Sequence, residues 1–206
     1  MNFVKDSVNQ QPIVDTVFTI VAKAKEAKEK YGADQVVDAT IGSLYNEEGQ
    51  LVALDSVYNS LKNLDNKVLA KYAASFTGNP TFRQKAYDWV LDGNSHLEHE
   101  VVATPGGTGA VSMTIQECLD EGQTVILPEI AWGSYALMAQ MHNLEMANYS
   151  LFEGDHFNIA SFKETCLETM KKQNKLVIVI NDPCHNPTGY SLTHEEWDEV
   201  ITFLNE

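Results

Sequence analysis

The sequence predicts an α/β fold, a mainly parallel sheet with helices on both faces, and three observations carry that expectation. From Glu100 onward, short apolar runs alternate with segments whose apolar residues recur at helical spacing, the alternation that builds parallel sheets. One run, Leu176–Ile180, is unbroken and mostly β-branched, as in a strand buried on both faces. The runs also feed turn-rich loops, Thr104–Gly109, Pro128–Trp132 and Asn181–Gly189. A parallel sheet gathers such loops beyond the C-terminal ends of its strands, where ligands sit.

In chain order, the spacing of Val17, Ile20, Val21, Ala24 and Ala27 predicts a helix from Asp15 to Tyr31, with Asp15 as cap and Gly32 beyond its end. Val36–Gly42 reads as a short strand running into a turn, and Ser43–Gln50 as a loop turning at Gly49. Ser56–Leu64 is a short helix, Lys71–Pro80 irregular, and Thr81–Leu91 a helix with Phe82, Ala86, Trp89 and Val90 inward. Val101–Ala103 is a strand, Gly107–Glu121 a helix and Thr124–Leu127 a strand. A helix from about Gly133 to His142, a strand at Glu145–Tyr149 and a helix over Ile159–Gln173 follow. After Leu176–Ile180, the last helix, Thr193–Leu204, opens on the capping box Thr193-x-x-Glu196.

Composition narrows the function classes. The 206 residues are 44% hydrophobic, enough for one globular domain with at most a small appendage. No apolar run is long enough to span a membrane, and Met1–Gln11 lacks the apolar core of a signal peptide. Cys118, Cys166 and Cys184 are odd in number and widely spaced, which speaks for a reducing, cytoplasmic setting rather than a disulfide framework. A net charge of −15 speaks against a nucleic-acid partner. An acidic chain that binds an anion must therefore do so with local donors.

The stretch Val101–Val111 supplies them. Gly106, Gly107 and Gly109 allow a sharp turn and close backbone approach, and the first amides of the following helix carry its positive dipole end. The natural guest is a phosphate, to which Thr108 adds a hydroxyl. It is neither a P-loop, since no Lys-Ser/Thr pair follows, nor a Gly-x-Gly-x-x-Gly turn, since Ser112 holds the third glycine position.

The third loop, Asn181-Asp182-Pro183-Cys184-His185-Asn186-Pro187-Thr188-Gly189, ends in a motif that resembles the signature of the aspartate-aminotransferase-like enzymes of class I/II, which use pyridoxal 5′-phosphate (PLP). Gly106–Ala110 is similar to that family's phosphate cup, and Trp132-Gly133 after Pro128 to its cofactor-stacking segment. Ile41-Gly42, Tyr72 and Gly78-Asn79-Pro80-Thr81-Phe82 match less closely. The resemblance implies cofactor contacts from Gly106, Gly107, Thr108, Trp132, Asn186 and Tyr72, and substrate contacts from Gly42 and Asn186. Physically, Trp132 offers a flat apolar lid for the PLP ring and the Asn186 amide a donor for its phenolic oxygen, with Pro187 restricting the backbone of Asn186. The Tyr72 counterpart reaches the neighbouring subunit's phosphate, so the resemblance implies a homodimer. The implied substrates are an amino acid and a 2-oxo acid. The implied domains are residues 1–50 as N-terminal arm and part of a small domain, and 51–206 as the N-terminal part of the large PLP-binding domain.

Each residue has a plainer reading. Trp132 alone reads as a half-buried tryptophan, Asn186 as turn chemistry and Tyr72 as a packing residue. His185 reads as a loop residue without a catalytic role, and Cys184 as a small buried residue rather than a nucleophile. His96 and His99, with Glu98 and Glu100, read as a solvated turn rather than a metal site. No lysine matches the family's Schiff-base position, since Lys175 precedes a strand instead of ending one. That lysine, and the acid that faces the pyridine nitrogen, are expected beyond Glu206, so the chain reads as the inactive N-terminal portion of a longer enzyme. A carbon–sulfur lyase of the same fold and a non-catalytic aminotransferase-like binding module are the alternatives. A nucleotide-dependent dehydrogenase is disfavoured, since Leu127-Pro128 stands where an acidic ribose partner is expected, with Glu129 one step beyond.

Overall fold

The computed structural model describes residues 16–92 and 98–206; Met1–Gln11, the proposed cap Asp15 and His96 lie outside them. The chain divides into two compact units, Met1–Ala74 and Ser75–Glu206.

In the first unit, helix α1 (Thr16–Tyr31) ends at Gly32, whose φ of 94° and ψ of 141° are open only to glycine. The Gly32 amide closes on the Lys28 carbonyl at 3.0 Å. The strand expected at Val36–Gly42 does not form. Val37 is 98% exposed, and the Asp38 carboxylate bonds the amide and hydroxyl of Thr40 and, at 2.7 Å, the Lys28 ammonium. An extended run needs a neighbouring strand, and here the local side-chain bonds win. Lys28 and Thr40 together hold the Asp38 carboxyl down to about 2. Gly49 is the turn residue expected, with φ 72°, but its loop is tighter than expected, closed by an antiparallel bridge between Tyr45 and Leu51. Helix α2 spans Asp55–Lys62, and a four-residue helix α3 (Asn66–Leu69), not foreseen, is capped by Asp65, which accepts from Lys67 N at 2.7 Å.

In the second unit, helix α4 (Pro80–Leu91) is capped by Asn79, which accepts from Thr81 N at 2.8 Å. The strand expected at Val101–Ala103 is only extended chain. Its Ala103 amide donates to Thr77 O at 2.9 Å, and Ala103 Cβ lies so near Gly78 that a side chain there would meet it at 2.5 Å. Helix α5 covers Gly106–Cys118, strand β1 Thr124–Pro128, helix α6 Ser134–Met141 and strand β2 Glu145–Tyr149. A two-stranded antiparallel hairpin, β3 (Phe152–Glu153) and β4 (His156–Phe157), was not foreseen. Helices α7 (Ile159–Met170) and α8 (His194–Asn205) complete the unit, α8 with both bonds of its capping box in place.

Strands β1 and β2 are parallel, Thr124 opposite Glu145 and Pro128 opposite Tyr149. The run Leu176–Ile180 joins the other side of β1 through a single parallel bridge, Ile126 to Ile178, with bonds of 2.9 and 3.0 Å. Successive side chains along these segments alternate between two clusters. Val125 and Leu127, with Val177 and Val179 against them, pack on one face with Ile115 of α5 and Met138 and Ala139 of α6. Ile126, with Ile178 and Ile180 against it, packs on the other with Phe162 and Cys166 of α7 and Val200 of α8. Helices therefore cover both faces of a parallel sheet, the three-layer α/β arrangement expected.

Candidate cofactor site

Parallel pairing puts the loops after β1 and after Ile180 at one edge of the sheet. Helix α5 ends a few residues before β1 begins and packs Ile115 against it, so it runs back along the sheet and brings its N-terminus to that same edge. Chain direction therefore points three segments toward that edge, Gly106–Thr108, Glu129–Gly133 and Asn181–Gly189, and Val111 of α5 and Trp132 pack against the same cluster.

The N-terminus of α5 suits an anion. Pro105 stands at the cap position and makes no side-chain cap bond, and the first turn carries no acidic residue. The Gly106 amide donates to the Thr104 carbonyl at 2.8 Å, so the amides that follow it are the ones a ligand would use. Gly106, Gly107 and Thr108 are exposed, and Gly106 has φ 72°. Gly109 is required by packing, because a Cβ would lie 2.7 Å from the Pro105 ring.

Trp132 is half-buried, as its plainer reading held, and its ring sits against the α5–α6 cluster. Tyr135 meets it edge-on at 5.4 Å and 89°, which fixes the plane of the indole. Glu129 is already engaged: its carboxylate accepts from Ser150 Oγ at 2.6 Å and Leu151 N at 3.2 Å, tying the end of β1 to the chain beyond β2.

The Asn181–Gly189 loop is held by its own side chains. Asn181 Oδ1 accepts from Asn186 N at 2.7 Å, and Asp182 accepts from Leu192 N at 2.8 Å and Trp197 Nε1 at 3.1 Å. Asn186 is exposed. Cys184, expected as a small buried residue, is exposed, with φ 57° and its amide bonded to Ser191 Oγ, so the loop turns its thiol outward. The buried thiol is that of Cys166, which burial pushes up to about 11.

His185 is the residue that sequence reasoning undervalued. It is 4% exposed, its Nδ1 lies 2.9 Å from Thr188 Oγ1, and its Nε2 is buried without a hydrogen-bond partner. Burial holds its pKa below 6.5. A polar turn gave no signal that its histidine would be enclosed.

Gly42 and Tyr72, the other expected contacts, belong to the first unit, where both are exposed, Tyr72 at 92%. Lys175 precedes the bridged run, at the opposite edge of the sheet, and pairs with Asp120 at 3.9 Å. Among the described residues no three His, Cys, Asp or Glu side chains gather as a metal site, and no helix is long and apolar enough to cross a membrane.

Comparison with known proteins places the chain in a family. Residues 34–206 match the family model for aminotransferase class I and II. An aromatic-amino-acid aminotransferase of Paracoccus denitrificans is 21% identical over 173 residues, covering 82% of this chain and 44% of that protein. The mitochondrial aspartate aminotransferase of Saccharomyces cerevisiae is 23% identical over 191 residues, covering 82% of this chain and 42% of that protein. A solved structure of an aminotransferase from Anaerococcus prevotii superposes with a TM-score of 0.88 at 37% identity, covering 99% of this chain and 50% of that one. The chain spans about half the length of the curated relatives it matches. With the sheet, its two helical layers and the match over residues 34–206 in hand, the chain belongs to the aminotransferase class I and II family.

Proposed function

We propose that this chain supplies the phosphate and ring contacts of a PLP-dependent aminotransferase that moves an amino group between an amino acid and a 2-oxo acid. The observation that carries the reading is that α5, whose N-terminus has no side-chain cap and no acidic residue, packs in one cluster with Trp132. These residues fit PLP. Gly106, Gly107 and Thr108 would hold its phosphate, Trp132 would cover its ring, and the Asn186 amide would donate to its phenolic oxygen. Bound PLP supplies an electron sink for bond breaking at the substrate α-carbon. The protein's part is to bind, orient and keep water from one face of the ring. In the same reading Tyr72 and Gly42 serve the phosphate and the substrate, residues 51–206 form the cofactor-binding domain, and the protein is a cytoplasmic homodimer. The exposure of Tyr72 (92%), Phe76 (107%) and Trp89 (88%) supports a further surface that covers them.

None of these contacts needs a lysine, because charge-assisted bonds from helix amides suffice to hold a phosphate. The test is PLP and inorganic phosphate binding by the purified chain, followed by borohydride reduction and mass spectrometry. We expect weak, mutually competitive binding, about tenfold weaker in Thr108→Ala, the loss of one bond to a charged group. Labelling should scatter over exposed lysines such as Lys23 and Lys25, with no turnover. Lys28 should label less, since Asp38 holds its ammonium at 2.7 Å. No binding at millimolar ligand would sink the cofactor reading. Stoichiometric labelling of one lysine with amino-group transfer would show that this chain already holds the catalytic lysine.

A further inference from the structure

We propose that Asn181 is a positioning residue for Asn186: its side-chain oxygen fixes the Asn186 backbone to the end of the sheet and leaves the Asn186 side-chain amide to a ligand. The inference rests on the cofactor reading for the identity of that ligand alone.

Asn181 Oδ1 accepts from Asn186 N at 2.7 Å. A backbone N–H can only donate, so the group that faces it is the side-chain oxygen, and the orientation of the Asn181 amide is settled. The neighbouring amides are spent as well. Cys184 N donates to Ser191 Oγ at 2.9 Å and His185 N to the Tyr190 carbonyl at 2.7 Å, while Pro183 and Pro187 have no N–H to give. The side chains follow the same pattern. Asp182 accepts from Leu192 N and Trp197 Nε1, His185 Nδ1 lies 2.9 Å from Thr188 Oγ1, and Tyr190 Oη donates to Glu196 at 2.6 Å. From Asn181 to Ser191, among the described residues, Asn186 alone has a nitrogen- or oxygen-bearing side chain that makes no hydrogen bond within the chain, and it is exposed.

Asn181 is placed to act as an anchor. It follows Ile180 directly, and Ile180 packs against the buried cluster that holds Ile126, Phe162, Cys166 and Val200. Two residues earlier, Ile178 is bridged to Ile126 of β1. The bond from Asn181 therefore refers the Asn186 backbone to the sheet rather than to another loop. With that backbone held, only the two side-chain torsions of Asn186 stand between it and its donor N–H groups. A donor held in this way loses little freedom on binding, and that is what lets a single hydrogen bond count toward affinity. Without the bond, Asn186 keeps the same side chain but no fixed direction for it.

The experiment uses the purified chain. In the cofactor-free protein, solvent-exchange NMR reads the Asn186 amide. Asn181→Leu removes the acceptor at nearly constant size, Asn181→Ala repeats the removal should leucine disturb the fold, and Asn181→Asp keeps an acceptor. We expect the Asn186 amide to exchange about fivefold faster when the acceptor is removed, the loss of one hydrogen bond, and no faster in Asn181→Asp. The Leu192 amide and Trp197 Nε1–H, both held by Asp182, should not change. PLP should bind about fivefold more weakly to the removal variants, and inorganic phosphate within about twofold of wild type. In an Asn186→Ala background the same removal should alter PLP binding by less than about twofold, because no side-chain amide remains to be directed. The proposal is overturned if the Asn186 amide is indifferent to the removal, or if PLP binding weakens as much with Asn186→Ala as without it. It is also overturned if the Leu192 and Trp197 protons exchange faster too, or if phosphate binding falls with PLP binding, since Asn181 then supports the fold at large. Should the wild-type chain bind no PLP while the Asn186 amide responds as described, Asn181 still positions Asn186 and the cofactor reading fails.

Discussion

Between Phe18 and Thr114 no described residue is buried, whereas Ile115 to Val200 holds both hydrophobic clusters. The two stretches do not differ in pattern. Leu54, Leu61 and Leu64 around α2 are spaced as apolar residues of a packed helix are, yet each is at least 44% exposed. What differs is the supply of a second surface. β1 has α5 and α6 on one face and α7 and α8 on the other, so each alternate side chain meets a wall. The helices before Gly106 have no such wall among the described residues. Hydrophobic periodicity tells which residues need cover, not what covers them.

The largest expected effect measures this difference directly. Phe162→Ala removes a ring at 0% exposure, packed on Tyr149, Phe157 and Phe203, and should cost about 3–5 kcal/mol. Leu61→Ala, at a site 52% exposed, should cost less than about 0.5 kcal/mol in the isolated chain. Urea denaturation followed by circular dichroism reads both, and equal losses would erase the contrast.

If the open apolar surface is one that a second copy covers, the chain self-associates. We expect dimers in sedimentation velocity, and Phe76→Glu with Trp89→Glu, both at nearly free side chains, to raise the dissociation constant at least about tenfold. Monomer alone across a wide concentration range would show that these residues are not an interface between copies.

The site's pH dependence belongs to the packed stretch. His185 is held below 6.5 by burial, so the unfolded chain takes up the proton first as pH falls. Its stability contribution is therefore complete above about pH 7.5 and declines as pH drops through about 6.5, with a slope under about 1.4 kcal/mol per pH unit. The difference between wild type and His185→Gln in thermal unfolding isolates it from the other histidines. A wild-type chain that gains stability relative to His185→Gln on acidification would contradict the burial of a neutral ring.

How much of this was legible follows from where the information lies. The glycine turn into α5, the parallel strands β1 and β2, the three-layer order and the α8 capping box are local patterns that the fold respects. The runs Val36–Gly42 and Val101–Ala103 had strand composition, but a strand is a relation between two segments, and neither pairs with another among the described residues. Leu176–Ile180 keeps one bridge for the same reason. The β3–β4 hairpin did carry a signal, Gly154-Asp155 between short runs, with Gly154 at φ 62°. At the site, the loops were readable from their turn chemistry. The enclosure of His185 and the outward turn of Cys184 were not, because they depend on how the Asn181–Gly189 loop folds, with His185 Nδ1 at Thr188 Oγ1 and the Cys184 amide on Ser191 Oγ.

The smallest expected effect sets the same chemistry in both stretches. Thr193 Oγ1 accepts from Glu196 N at 3.2 Å, and Glu196 answers through Thr193 N at 2.8 Å while also accepting from Phe157 N and Tyr190 Oη. The cap is thus wired to β4 and to the loop before α8, and α8 carries Val200 at 0% exposure. Thr193→Ala should cost about 1 kcal/mol of global stability, the ordinary worth of a cap on a helix that must form for the core to close. Asp65 makes an equally good bond to Lys67 N at 2.7 Å, but α3 has four residues and buries none. Its ends fray whether or not the domain is folded, so Asp65→Ala should leave the global transition unmoved and show only as faster amide exchange at Lys67. A global loss for Asp65→Ala as large as that for Thr193→Ala would mean that the first unit is coupled to the core more tightly than its exposure allows.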